Sequence, residues 1–190
     1  MGSKHSILLS QEEIRSICEE TDFTPKQLQR LYIRFQELEK RNPPLGYLTR
    51  EDLLDIREVA LNPLGERLVD VIMQDYGDVN KLNFQQFANV FARFRRGKTL
   101  TNLNIKEKKL LFLFSIYDRN HDSKIDRNEL VEILKMMVGG NIHEDQIATI
   151  ADHTIGELDA DGDLTITFKE FCDTISKIDV DEKMSMKFLN

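Results

Sequence analysis

Residues Asp159 to Glu170 read DADGDLTITFKE, and 41 positions upstream Asp118 to Glu129 read DRNHDSKIDRNE. An apolar helical pattern precedes each stretch (KEKKLLFLFSIY, then IATIADHTIGEL) and another follows it (LVEILKMMV, then FCDTISKI). The repeating unit is a helix, an acidic twelve-residue loop and a helix. Calcium takes about 6 to 8 oxygen ligands, and a loop of this length supplies them from positions 1, 3, 5, 7, 9 and a bidentate Glu at 12. In the later loop these are Asp159, Asp161, Asp163, the Thr165 carbonyl, Thr167 through water, and Glu170. In the earlier loop they are Asp118, Asn120, Asp122, the Lys124 carbonyl, Asp126 and Glu129. A solvated acidic turn has no reason to fill every ligand slot twice in one helical context.

Position 8 is Ile125 in one loop and Ile166 in the other, a β-branched residue suited to a short antiparallel bridge between paired loops. Thr167 and Glu170 also make a capping box for the exiting helix. Position 6 calls for a positive φ, which glycine adopts freely, yet the residues there are Ser123 and Leu164. The penalty is on the order of 1–2 kcal/mol, small beside the pull of the loop's carboxylates on a dication. Leu164 is expected to weaken or distort the later site without abolishing it.

At 190 residues, 41% of them hydrophobic, with eleven Phe, six Met and no Trp, the chain can bury one substantial core or two small ones. The net charge of −7 argues against a general nucleic-acid binder and fits cationic or basic-peptide partners. Cys18 and Cys172 stand alone, so the expectation is two reduced thiols packed on helices of a cytosolic protein. No stretch has the length of a signal peptide's apolar core or a membrane span.

Helical signals fill the remaining sequence. Ser10 with Glu13 caps IRSICEE, and Thr24, Pro25 and Gln27 open a helix through LQRLYIRFQELEK, in which Leu28, Leu31, Ile33, Phe35 and Leu38 are expected to face the core. Asn42, Pro43, Pro44 and Gly46 end it, Thr49 caps REDLLDIREVAL, and Asn62-Pro63 starts PLGERLVDVIM. The first half repeats the helix–loop–helix pattern without its chemistry. With Leu48 at position 8, Arg41 falls on position 1 and Pro43 on position 3; with Leu82 at position 8, positions 1, 3, 5 and 12 are Asp75, Gly77, Val79 and Gln86. The class expected is all-α, with two lobes of paired EF-hands, short β-bridges between paired loops, and calcium bound only by the last two of four hands. The expected divisions are an N-terminal segment and helix (1–24), an N-lobe (25–96), a linker (97–105), a C-lobe (106–178) and a tail (179–190).

The two-plus-two arrangement, the stretches ALNPLGERLVD (60–70) and LKMMVGGNI (134–142), and the ending IDVDEKMSMKFLN (178–190) together resemble the calcineurin B homologous proteins over nearly the whole chain. Calcineurin B itself is similar through the same middle segments. The resemblance implies a calcium-loaded, non-enzymatic cofactor that holds an amphipathic helix from the cytoplasmic tail of a plasma-membrane Na⁺/H⁺ exchanger, supporting its activity, stability or trafficking. The alternative is a calcineurin B-like regulator, or an inhibitor, of a calcium-dependent phosphatase, with the calcineurin catalytic subunit as partner. The linker RRGKTLTNLNIK is shorter than the family's.

Paired hands present Met- and Phe-lined grooves that read a helix through anchors at i, i+3, i+4 and i+7. The candidates are Phe87, Val90, Phe91 and Phe94 from the first lobe and Leu111, Phe114, Leu134 and Met137 from the second. MGSKHS matches the acceptor pattern for myristoylation at Gly2, with Ser6 completing it. A single acyl chain holds a membrane weakly; Arg93, Arg95, Arg96, Lys98, Lys106, Lys108 and Lys109 could add attraction to anionic lipid, although a solvated linker is the simpler reading of that run. The expected location is the cytoplasm, peripheral at the plasma membrane and endomembranes. LVEILKMMV also resembles a nuclear export segment, consistent with nuclear shuttling. Nothing supports catalysis: Gly97-Lys98-Thr99 lacks the earlier glycine and the preceding strand of a phosphate loop, and His5, His121, His143 and His153 form no i, i+4 ligand pair.

Overall fold

A computed structural model describes residues 9–95, 101–103 and 105–175. Its elements run α1 (Gln11–Thr21), α2 (Pro25–Leu38), β1 (Tyr47–Leu48), α3 (Arg50–Leu54), α4 (Arg57–Ala60), α5 (Gly65–Tyr76), β2 (Leu82–Asn83), α6 (Phe84–Arg93), α7 (Lys106–Tyr117), β3 (Lys124–Ile125), α8 (Arg127–Val138), a 3-10 turn (Gly139–Asn141), α9 (Glu144–Leu158), β4 (Ile166–Thr167) and α10 (Phe168–Ile175). The fold is all-α with paired EF-hand lobes. β1 pairs antiparallel with β2 through Leu48 and Leu82, and β3 with β4 through Ile125 and Ile166. These four apolar residues are almost wholly buried, so each bridge pins two loops together and plugs a core.

The caps follow their sequence signals. Ser10 with Glu13, Thr24 with Gln27, and Thr49 with Asp52 each form a reciprocal capping box. Three expectations fail in detail. REDLLDIREVAL is broken at Asp55-Ile56 into α3 and α4, because Ile56 adopts an extended backbone and packs against the N-lobe core. The helix after Asn62-Pro63 begins only at Gly65, since the Asn62 carboxamide accepts the Leu64 N–H at 2.9 Å and makes a turn of those residues. Glycine is required at that start: a Cβ on Gly65 would lie 2.0 Å from the Val59 carbonyl oxygen of α4. On α2, Leu28, Leu31, Phe35 and Leu38 are buried, whereas Ile33 is 50% exposed. Ile33 lies on the far side of the stripe, two positions from both Leu31 and Phe35.

One apolar cluster fills the N-lobe and a second the C-lobe. A third, of Val71, Val90, Phe94, Phe112, Ile116 and Ile133, joins α5 and α6 to α7 and α8. Beside this seam lies Arg67 of α5. Its guanidinium donates to the Ile116 carbonyl at 2.9 Å, to the Asp118 carbonyl at 2.8 Å and to the Ser115 carbonyl. The last carbonyls of α7 have no partner within the helix, and a cation is favoured at that end. Arg67 is therefore the C-terminal cap of a helix in the other lobe. Replacing it by Met keeps the bulk but strands these acceptors, and charged hydrogen bonds contribute about 1.5–3 kcal/mol each. We expect Arg67→Met to lower the unfolding free energy by about 2 kcal/mol in urea titration; an unchanged midpoint would show that the clamp is not stabilising.

Candidate metal centre

In the last hand, α9 ends with Asp159 as its C-cap, and α10 begins behind the Thr167 and Glu170 capping pair. Carboxylate oxygens of Asp159, Asp161 and Glu170 lie within 4.8 Å of one another. Loop amides hold them in place. Asp159 accepts from the amides of Gly162 (2.7 Å) and Leu164 (2.8 Å), and Glu170 from those of Ala160 (2.8 Å) and Thr167 (2.8 Å). The Thr167 bonds and the Ala160 amide hold the Glu170 carboxyl below its usual range.

The third hand has the same frame. Asp118 caps α7 and accepts the Ser123 N–H through Oδ2, while Glu129 accepts the amides of Arg119 and Asn120 and closes a capping box with Asp126. Asp122 meets the Asn120 carboxamide at 3.0 Å. Oδ1 of Asp118 is buried with no hydrogen-bond partner. An orphaned buried carboxylate oxygen is costly unless a cation completes it, so hard oxygen donors gathered around it fit calcium. The twelve residues that would hold the ions are those read from the sequence, Asp118, Asn120, Asp122, Lys124, Asp126 and Glu129, then Asp159, Asp161, Asp163, Thr165, Thr167 and Glu170. When bound, calcium would supply a compact positive charge that neutralises the carboxylates of each loop. The protein's part is to preset carboxylate directions through loop amides and to hold the two loops in register through Ile125 and Ile166.

The backbone takes the strained conformation that the position-6 pattern requires. Ser123 has φ 68° and Leu164 φ 65°, with His121 and Gly162 also positive at position 4. Leu164 is 73% exposed, so little side-chain burial offsets the strain. A contact absent from the sequence reading joins the loops: the Lys124 ammonium lies 2.6 Å from Asp163 Oδ2. That ion pair, with Thr165, brings the Asp163 carboxyl down to about 2. Its folded value is below the ordinary 3.8, so its contribution is present above that pH and is lost as pH falls toward 2. Lys124 thus serves its own loop by its carbonyl and the neighbouring loop by its side chain.

The first two hands depart from strict twelve-residue counting. In the calcium-type loops the helix C-cap stands seven residues before the bridge residue. In the first hand the C-cap of α2 is Glu39, nine before Leu48, so Glu39 rather than Arg41 takes the place of position 1. In the second, the C-cap of α5 is Gly77, five before Leu82. Asp75, expected at position 1, is instead in the last turn of α5, 3.0 Å from Arg93. One loop is lengthened by two residues and the other shortened by two.

The proposed groove residues divide sharply. Phe87 is in the N-lobe core, Phe114 in the C-lobe core, and Val90 and Phe94 in the seam between lobes, all 5% exposed or less. Their helical stripes were legible, but stripes of this kind pack internally first. Phe91 and Leu134 are half-buried, and Leu111 and Met137 are exposed. Among the described residues of the basic run, Lys106 and Lys108 are exposed and three others turn inward. Arg93 is buried against Asp75, Tyr76 and Phe112, Arg95 pairs with Asp22 at 2.6 Å, and Lys109 is buried. Arg96, Lys98, Gly2, Ser6, His5 and the tail after Ile175 lie outside the described residues. Cys18 and Cys172 are free and half-buried. A cleft of about 830 Å³ lies between α4–α5 and the third hand, lined by Val59, Pro63, Arg67, Arg119, Glu129 and Met136 among others. No described helix is long and apolar enough to cross a membrane.

Residues 107–183 match the family model described as an EF-hand domain pair. This defines the class, an EF-hand calcium-binding protein. The chain is 39% identical over 189 residues to the type 1 calcineurin B protein of Dictyostelium discoideum, covering 99% of both. It is 37% identical over 187 residues to the calcineurin B protein of Naegleria gruberi (98% of this chain, 99% of the relative). To the calcineurin B protein of Schizosaccharomyces pombe it is 36% identical over 178 residues (93% and 97%). The chain belongs to the calcineurin B family. This is a broader placement than the homologous-protein branch that the quoted motifs suggested.

The strain at position 6 gives a direct test. Leu164→Gly removes a left-handed penalty of about 1–2 kcal/mol and adds about 0.5–1 kcal/mol of chain entropy on unfolding. It should raise C-lobe stability by up to about 1 kcal/mol, whereas Gly162→Ala, at φ 80°, should lower it. Urea unfolding in chelator and in calcium measures both.

Proposed function

We propose that this chain is a calcium-binding regulatory protein, without catalytic activity of its own, that grips an amphipathic helix of a calcium-dependent phosphatase's catalytic subunit. The observation that carries this reading is identity of 36–39% along nearly the whole length to proteins named as the B-type subunits of calcineurin. Calcium would occupy the two C-lobe hands, giving two ions per chain. In isothermal titration calorimetry we expect two sites, both lost in a Glu129→Gln, Glu170→Gln double variant; three or four sites in the wild type would defeat the assignment. The partner helix would dock on the apolar side chains that remain accessible, Leu111, Leu134 and Met137 in the C-lobe and Phe91 in the N-lobe.

A second reading keeps the same surface and exchanges the partner for the membrane-proximal helix of a Na⁺/H⁺ exchanger tail. It is favoured by the first two loops, one lengthened and one shortened, with no ligand set like those of the C-lobe. Either role would suit a cytoplasmic protein held at the plasma membrane or endomembranes by a myristoyl group on Gly2, with the export-like LVEILKMMV allowing passage through the nucleus. Binding of the full chain to the two helical peptides separates the readings. The phosphatase helix should bind at one to one, and Leu111→Asp or Met137→Asp, both at exposed positions, should weaken it about tenfold or more, as truncation of a central anchor does. Gly2→Ala should leave peptide binding intact. Preference for the exchanger helix would reverse the assignment, and indifference to both substitutions would move the docking surface elsewhere.

A further inference from the structure

The first hand contains the frame of a cation site with a positive charge already built into it. Three features fix the correspondence with the calcium-type loops. Leu48 pairs with Leu82 as Ile125 does with Ile166. Gly46, two residues earlier, has φ 80°, matching Ser123 and Leu164. Thr49 and Asp52 form the capping box that Asp126 and Glu129 form in the third hand. The slots equivalent to positions 1, 7 and 12 are thus Glu39, the Tyr47 carbonyl and Asp52. Glu39 also accepts loop amides as Asp159 does, taking the Gly46 N–H at 3.1 Å and that of Leu45.

Arg41, brought in by the two-residue lengthening, places its guanidinium among these three slots. Nη2 donates to the Tyr47 carbonyl and lies 2.9 Å from Asp52 Oδ2, and Nε lies 3.7 Å from Glu39 Oε1. The guanidinium carbon also lies over the Tyr47 ring, 4.7 Å from its centroid. The carboxylates it meets are withdrawn from water, with side-chain exposures of 3% for Glu39 and 14% for Asp52. Two such carboxylates in one small loop repel each other unless a cation stands between them.

We propose that Arg41 is a covalently tethered substitute for calcium, so that the first hand is a guanidinium site whose order does not vary with calcium concentration. The planar fork of Arg can serve a carbonyl and a carboxylate together, which a point charge on a lysine stem does less well. The N-lobe then acts as a fixed half of the molecule, and the response to calcium is confined to the C-lobe. This inference concerns the EF-hand frame and does not depend on which partner helix the protein binds.

The test is amide hydrogen exchange by NMR on the full-length chain, read at Leu48 and Leu82 of the first bridge and at Ile125 and Ile166 of the second. In the wild type, chelator should speed exchange at the second bridge and leave the first unchanged. Arg41→Gly should speed exchange at Leu48 and Leu82 about tenfold or more, in calcium and in chelator alike, and added methylguanidinium at millimolar concentration should restore protection while calcium should not. If Arg41→Gly does not fold, Asp52→Asn provides the second variant: it should speed exchange at Leu48 and Leu82, with Arg41→Lys giving a smaller effect than Asp52→Asn. Chelator sensitivity of Leu48 in the wild type, restoration by calcium rather than methylguanidinium, or unchanged exchange in Asp52→Asn would each overturn the proposal.

Discussion

Each of the four loops turns on a reciprocal pair of hydrogen bonds between positions 9 and 12. Thr49 with Asp52, Asn83 with Gln86, Asp126 with Glu129, and Thr167 with Glu170 all exchange a side-chain acceptor for a backbone N–H across three residues. The first turn of a helix has amides without intrahelical partners, and this pair satisfies two of them where the short bridge ends. The exiting helix, the bridge and the cores beneath all depend on that junction. Where position 12 is Glu, the junction also aims a carboxylate at the loop centre. Where it is Asp or Gln, the structural half of the role persists and the cation chemistry is lost or altered. The N-lobe can therefore keep the fold while abandoning the ligand sets.

Arginine is the second organising element. Arg67, Arg93 and Arg41 are each drawn into partly or fully buried surroundings and meet inward-facing acceptors there, although Nε of Arg41 and of Arg93 is buried without a hydrogen-bond partner. Arg67 meets the carbonyl end of α7, Arg93 meets Asp75 and stacks over Tyr76 and Phe112, and Arg41 meets the oxygens of the first loop. Buried charge is tolerable only when desolvation is offset by close, well-directed partners. A chain with a net charge of −7 spends several of its basic side chains internally, and the apparent basic run around residues 93–109 owes part of its positive charge to groups facing inward.

Much of this was legible in the sequence because it is local. The acidic loops, three capping boxes and the bridge residues Leu48, Leu82, Ile125 and Ile166 follow from fixed spacings of a few residues. What escaped depends on spacing that varies or on distance. Counting back from Leu48 by the ordinary loop spacing gave Arg41, because nothing in a single sequence marks a loop lengthened by two residues. Phe87, Val90, Phe94 and Phe114 carry the right helical period for a groove, yet period alone cannot separate the face that meets a neighbouring helix from the face left open. Arg67 and Lys124 find partners 39 to 51 residues away, beyond any local pattern. The exposed Ile33 shows the same limit on α2.

The Arg67 clamp has a consequence for the order in which the chain takes shape. Both lobe cores are assembled largely from near neighbours in sequence, and contacts of that kind form quickly. The three carbonyls that receive Arg67 come 48, 49 and 51 residues later. The guanidinium belongs to the half of the chain made first and its acceptors to the half made later, so the clamp cannot form until α7 is available. Docking of α7 is then the event that removes the charge from water. The seam between lobes is therefore the part of the described structure whose assembly reports that both halves are present.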